Sequence, residues 1–108
     1  MKTEYTHANE QVIFITNDTS MMPQLMPGSM LSGHYIETYL WSKQSNGVFA
    51  VLLDGGIVLI RRIKENELET KGILTLYSDY RKNTSEVVTT DQIHSMYMID
   101  EIMKQAVY

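Results

Sequence analysis

Apolar residues in this chain fall in short runs separated by turn-forming clusters, a pattern that predicts strands rather than helices. Residues 1–10 are polar and expected to be loose. Val12-Ile13-Phe14-Ile15, bounded by Asn17-Asp18, reads as a short buried strand. Next comes Ser20-Met21-Met22-Pro23-Gln24-Leu25-Met26-Pro27-Gly28-Ser29, where two prolines and a glycine predict rigid, non-repetitive backbone around one hydroxyl. Ser29 to Ile36 has strand character, with Gly33 marking a bulge or a close approach. Trp41, in an ambiguous stretch, is expected to be half buried. Gly47–Leu53 and Ile57–Ile63 flank Asp54-Gly55-Gly56 and predict a β-hairpin. Both runs are too continuously apolar for one wet face, which places the hairpin centrally. Lys64–Lys71 reads as a polar loop, Ile73–Tyr77 as a strand, Ser78–Ser85 as a turn cluster and Glu86–Thr89 as a short strand. The end combines alternation with near-helical spacing (Ile93, Met96, Ile99, Met103). The reading adopted is a strand through about Ile99, then a short helix or a frayed end.

These elements predict a mainly β, compact domain of short irregular strands around a central hairpin. With 108 residues, 44% hydrophobic and 20% charged, it is one domain over residues 11–108 behind a flexible 1–10 segment. A net charge of −4 argues against direct grip on nucleic acid phosphates. The absence of cysteine removes disulfides, thiolate metal sites and cysteine catalysis. His7, His34 and His94 lack ligand spacing, so neither a metal nor another cofactor is called for. No apolar run approaches the length of a membrane helix, and the first residues do not read as a secretory leader. The expected setting is therefore cytoplasmic, without membrane contact.

The Ser-Met-x-Pro-x-Leu-x-Pro-Gly turn, the hairpin ending in Arg61-Arg62, the segment Ile73–Asp79 and the last β segment occur in an order that resembles a known family. It is similar to the C-terminal domains of LexA-like and phage-repressor proteins, which share a fold with signal peptidases and are attached to helix-turn-helix transcriptional regulators. The resemblance spans roughly residues 12 to 102 and implies a serine–lysine dyad. Its serine falls on Ser20. Its lysine, in a Val-Lys-Arg-Leu-type segment, falls on Arg61 within Ile60-Arg61-Arg62-Ile63. Gln24 and Ser29 also depart from the family turn, which often has Thr and Asp there.

Arg61 changes the chemistry. A desolvated lysine can lose its charge and accept the serine proton, whereas a guanidinium stays protonated. Without a base, a serine nucleophile loses several orders of magnitude in rate. Lys64 lies at an odd offset from Arg61 and is expected on the opposite strand face. Lys43, Lys71 and Lys82 stand in expected loops and remain open as substitutes, as do His34 and His94. Self-cleaving relatives cut an Ala-Gly or Cys-Gly bond before the serine, and no glycine precedes Gly28 here.

The expectation is a non-catalytic regulatory and oligomerisation domain, with Ser20 a vestige or a turn hydroxyl. In the resembled family such domains pair regulators into dimers, and DNA contact belongs to an N-terminal helix-turn-helix segment that these residues lack. A homodimer is expected through an exposed apolar β edge comprising Ile93, Ser95, Met96, Tyr97, Met98 and Ile99. Two alternatives stay open. One is an active serine peptidase or self-cleaving switch using Ser20. The other is a small-ligand or peptide-binding β domain whose pocket joins the Met-rich turn (Met21, Met22, Met26, Met30) to Arg61. Those methionines are more simply core filling, and Tyr77, Tyr80 and Tyr97 are more simply sheet residues than a recognition surface.

Overall fold

Among the described residues eight strands join one antiparallel sheet. They are β1 (Glu4–Ala8), β2 (Gln11–Ile15), β3 (Met30–Ile36), β4 (Val48–Leu53), β5 (Val58–Glu67), β6 (Ile73–Tyr77), β7 (Ser85–Thr89) and β8 (Ile93–Lys104). Their spatial order is β1-β2-β3-β8-β4-β5-β6-β7. The structure is a computed structural model that describes residues 4–8, 11–16, 21–22, 25–80 and 85–104. The sheet curls into a half-barrel. Its radius of gyration, 13.0 Å, is that of a compact chain of this length. Among the described residues the helices are short 3-10 turns, and none is long and apolar enough to cross a membrane.

The central hairpin forms as its composition dictates. Val48 pairs with Arg62 and Leu52 with Val58. Gly55 and Gly56 take φ of 92° and 85° in the turn, a left-handed region that glycine enters without steric cost. β4 is buried along its middle because alternate residues feed two different cores. Ala50, Leu52, Val58 and Ile60 join Val12, Phe14, Leu31 and Tyr97 in the first core, which the turn closes with Met21 and Leu25. Phe49 and Val51 join Ile36, Trp41, Leu74, Leu76, Val88 and Met96 in the second.

Trp41 is buried rather than half buried, at 6% exposure. It sits in the 3-10 helix Thr38–Lys43, and its indole N–H donates to the Ile36 carbonyl at 3.0 Å. The Asn66 amide donates to the carbonyls of Trp41 and Gln44 at 2.8 and 2.7 Å, binding this helix to β5. The strand character of Lys64–Glu67, expected as loop, has the same origin. Glu65, Asn66 and Glu67 pair with Thr75, Leu74 and Ile73 after a register shift that leaves Lys64 as the extra residue. Cross-strand partners, rather than local propensity, make this polar stretch extended.

Three further expectations change. The 1–10 segment contains β1, paired along β2 from Glu4–Ile15 to Ala8–Gln11. β8 does not end near Ile99; it continues to Lys104 because β3 pairs with it as far as Met30. Most consequentially, β8 is not an edge. It lies between β3 and β4, hydrogen-bonded to both. Ile93, Ser95, Met96 and Tyr97 are buried, and Met98 and Ile99 are half buried. An apolar alternation looks the same whether a strand closes a sheet or ends it, so the sequence could not separate the two.

Gly33 meets both of its expected roles. The β3–β8 register shifts between Ser32 and Gly33, and a Cβ at Gly33 would lie 3.1 Å from Phe14 Cε2 and 3.3 Å from the Met98 carbonyl oxygen. The backbone oxygen cannot yield without disturbing the ladder. Gly33→Val is therefore expected to destabilise the fold by about 1–3 kcal/mol through overpacking, measured by urea unfolding. Met96→Glu is expected to leave the chain largely unfolded by circular dichroism, because it places an unpaired charge in the second core rather than on an open surface.

Candidate functional site

Strand alternation divides the two arginines that end the hairpin. Arg61 stands opposite Phe49 and so faces the second core; Arg62 stands opposite Val48 and faces the first. Arg61 is buried, at 9% exposure. Its Nε donates to Glu86 Oε1 at 2.5 Å, and its Nη1 donates to the Ile60 carbonyl at 2.9 Å. Charge-assisted contacts of this kind fix the planar fork and keep the cation tolerable among apolar neighbours.

Arg62 is paired as well, so neither arginine is simply solvated. Its Nε and Nη2 donate to Asp79 Oδ1 and Oδ2 at 2.8 and 3.3 Å, a two-pronged contact. Hydrogen bonding to Asp79 raises the Arg62 pKa further, with burial opposing, so its charge is permanent at any ordinary pH. The sequence held a partial signal for this pair: Asp79 lies just beyond Tyr77, which pairs with Arg62.

Ser20 lies outside the described residues. The described part of the turn, from Leu25 to Ser29, is closed by main-chain bonds. Gly28, at φ 91°, donates its N–H to the Thr16 carbonyl, and Thr16 donates to the Ser29 carbonyl at 3.1 Å. The Ser29 hydroxyl donates to the Met26 carbonyl at 2.6 Å. Met21, next to Ser20 in the chain, packs in the first core, whereas Arg61 faces the second. Met21 is core filling, and Met22, Met26 and Met30 are half buried.

The other candidate bases are held in local contacts. Lys43 and Lys71 pair with Glu69 and Glu67, at 3.6 and 3.0 Å. The hydrogen bond from Lys71 to Glu67 pushes its pKa up, the opposite of what a base acting near neutral pH needs. Lys64 reaches the Ser85 hydroxyl at 3.4 Å. His34 contacts Asp100, and His94 lies 3.3 Å from the Ser95 hydroxyl. Lys82 lies outside the described residues. Among the described residues no three metal-ligating side chains converge.

A cleft of about 370 Å³ opens on the first face, lined by Leu25, Val48, Arg62, Ile99, Asp100, Glu101 and Ile102. It joins the Met-rich turn to the hairpin, but through Arg62 rather than Arg61. Tyr97 lies beneath the sheet surface, with T-shaped contacts to Phe14 and Tyr35 at centroid distances of 5.4 and 5.7 Å. Tyr80, by contrast, is exposed.

The Arg61–Glu86 pair has a measurable signature. Glu86→Ala is expected to cost about 1–3 kcal/mol in urea unfolding, because it leaves a buried guanidinium without its carboxylate. The double variant Arg61→Met with Glu86→Ala is expected to recover most of that loss, since an apolar side chain suits the surrounding core.

Compared with protein-family models, with curated proteins and with solved structures, the chain gives no match, and its functional reading rests on its own residues and geometry.

Proposed function

We propose that this chain is a non-catalytic regulatory and oligomerisation domain of the transcriptional-regulator type that its sequence resembles. The observation that carries the reading is the environment of residue 61. At the position where the resemblance implies a lysine base stands an arginine whose charge is permanent and whose fork is committed to Glu86 and the Ile60 carbonyl. Such a group stabilises structure and has no proton to take up. The contacts of Lys43, Lys64, Lys71, His34 and His94 support the same reading, because each has a local polar partner of its own. In this reading the domain contributes self-association, and DNA contact would belong to a helix-turn-helix segment outside these residues.

A second reading, capture of a small ligand, is favoured by the cleft beside Arg62, whose volume falls in the range of small-molecule sites. Its lining sets apolar side chains beside the carboxylates Asp100 and Glu101, with Arg62 already paired to Asp79, which suits a small amphipathic cation. A thermal shift with such compounds, lost in Glu101→Ala, would support it.

Sedimentation of the purified chain over a wide concentration range tests the main reading, with a reversible dimer expected. Intact mass after long incubation at alkaline pH is expected to stay unchanged both in the wild type and in Arg61→Lys. Fragments that vanish in Ser20→Ala would instead identify an active peptidase.

A further inference from the structure

Among the described residues the sheet ends in β1 on one side and β7 on the other, and β7 has the composition of a strand that accepts a partner. Ser85-Glu86-Val87-Val88-Thr89 contains no lysine and no proline, the residues that usually blunt an edge. Its one charge, Glu86, is neutralised by Arg61. Val87 is 58% exposed.

The hydrogen bonds reveal which backbone groups face outward. The Thr90 N–H donates to the Gly72 carbonyl, on the β6 side, at 2.9 Å. The Thr89 N–H instead donates to the Gln92 side chain at 2.9 Å. Inward and outward groups alternate along an antiparallel strand, so Ser85, Val87 and Thr89 direct their main-chain groups away from β6.

We propose that β7 pairs antiparallel with β7 of a second copy of this chain, about a two-fold axis at Val87. This rests on the assembly reading above and gives it a surface. The register is self-complementary. Val87 meets Val87 of the other copy and exchanges two hydrogen bonds with it, Ser85 meets Thr89, and Glu86 meets Val88. All five strand residues then overlap. A two-fold axis at Glu86 would set like charges directly opposite, and one at Val88 would shorten the overlap. Charge agrees at the ends. Lys64, bonded to Ser85, marks one end of the strand, and Asp91 follows the other end, so antiparallel copies bring opposite charges toward each other. The Thr89 N–H exchanges its side-chain acceptor for the Ser85 carbonyl of the other copy. The result is a continuous sheet across the axis, an isologous interface.

The test is sedimentation of wild type, Val87→Pro, Val87→Lys and Val87→Thr. Proline removes only an outward N–H, which an edge position tolerates. Lysine leaves the backbone intact and adds a gatekeeping charge. Threonine keeps both the N–H and the β-branch. The buried Trp41 reports folding by its emission. Dissociation constants weakened about 10–100-fold in folded Val87→Pro and Val87→Lys, with Val87→Thr near wild type, are expected. If wild type and both disruptive variants dimerise equally, the β7 surface is overturned while the assembly reading stands. A wild type that stays monomeric at the highest concentration overturns both.

Discussion

β8 is the strand on which the sheet depends. β1, β2 and β3 form one antiparallel group and β4 to β7 another, and among the described residues the two ladders are joined through β8, which is hydrogen-bonded to β3 on one side and β4 on the other. The last long stretch of the chain thus enters the middle of the sheet. Its alternate residues complete both cores, Tyr97 in the first and Met96 in the second. Its ladders to the two partners shift register next to Gly33 and next to Leu53. Such long-range pairing carries a loop-closure cost that only completed burial offsets, so the two cores are expected to form together.

The polar chemistry follows from that architecture. With apolar cores on both faces of the hairpin, a charged residue late in β5 has either a partner or a substantial desolvation cost. Arg61 and Arg62 meet this condition in opposite directions, one through Glu86 on the edge strand and one through Asp79 beyond β6. The Arg61 pair also fastens β7 across β6. A position that the resemblance associates with proton transfer thus serves here as a structural cation, and the same contact neutralises the edge strand's only charge.

Several features were legible in the residues themselves. The hairpin around Asp54-Gly55-Gly56, the strands Val12–Ile15 and Ile73–Tyr77, the turn at Pro27-Gly28 and the special nature of Gly33 all rest on local rules. Turn chemistry and apolar runs act over a few residues and need no knowledge of distant neighbours. Other features were not legible. Lys64–Glu67 is polar and became strand because Ile73–Thr75 lay alongside and Asn66 found the carbonyls of Trp41 and Gln44. Asp79 stands two residues past Tyr77, but that it secures Arg62 follows only once Tyr77 is paired with Arg62 across the sheet.

Local patterning is enough to give a mainly β domain, the place where its principal hairpin turns, and a charge at residue 61 that cannot be given up. The order of the strands, and with it which strand is interior and which is an edge, is set by the folded sheet. A period of two states that side chains alternate, but not which strand lies alongside or which face a core will cover. Those choices are made by contacts between residues far apart in the chain. For this reason Ile93–Ile99 reads locally like an open edge and lies in the centre of the sheet, while the short strand at Val87 forms the boundary.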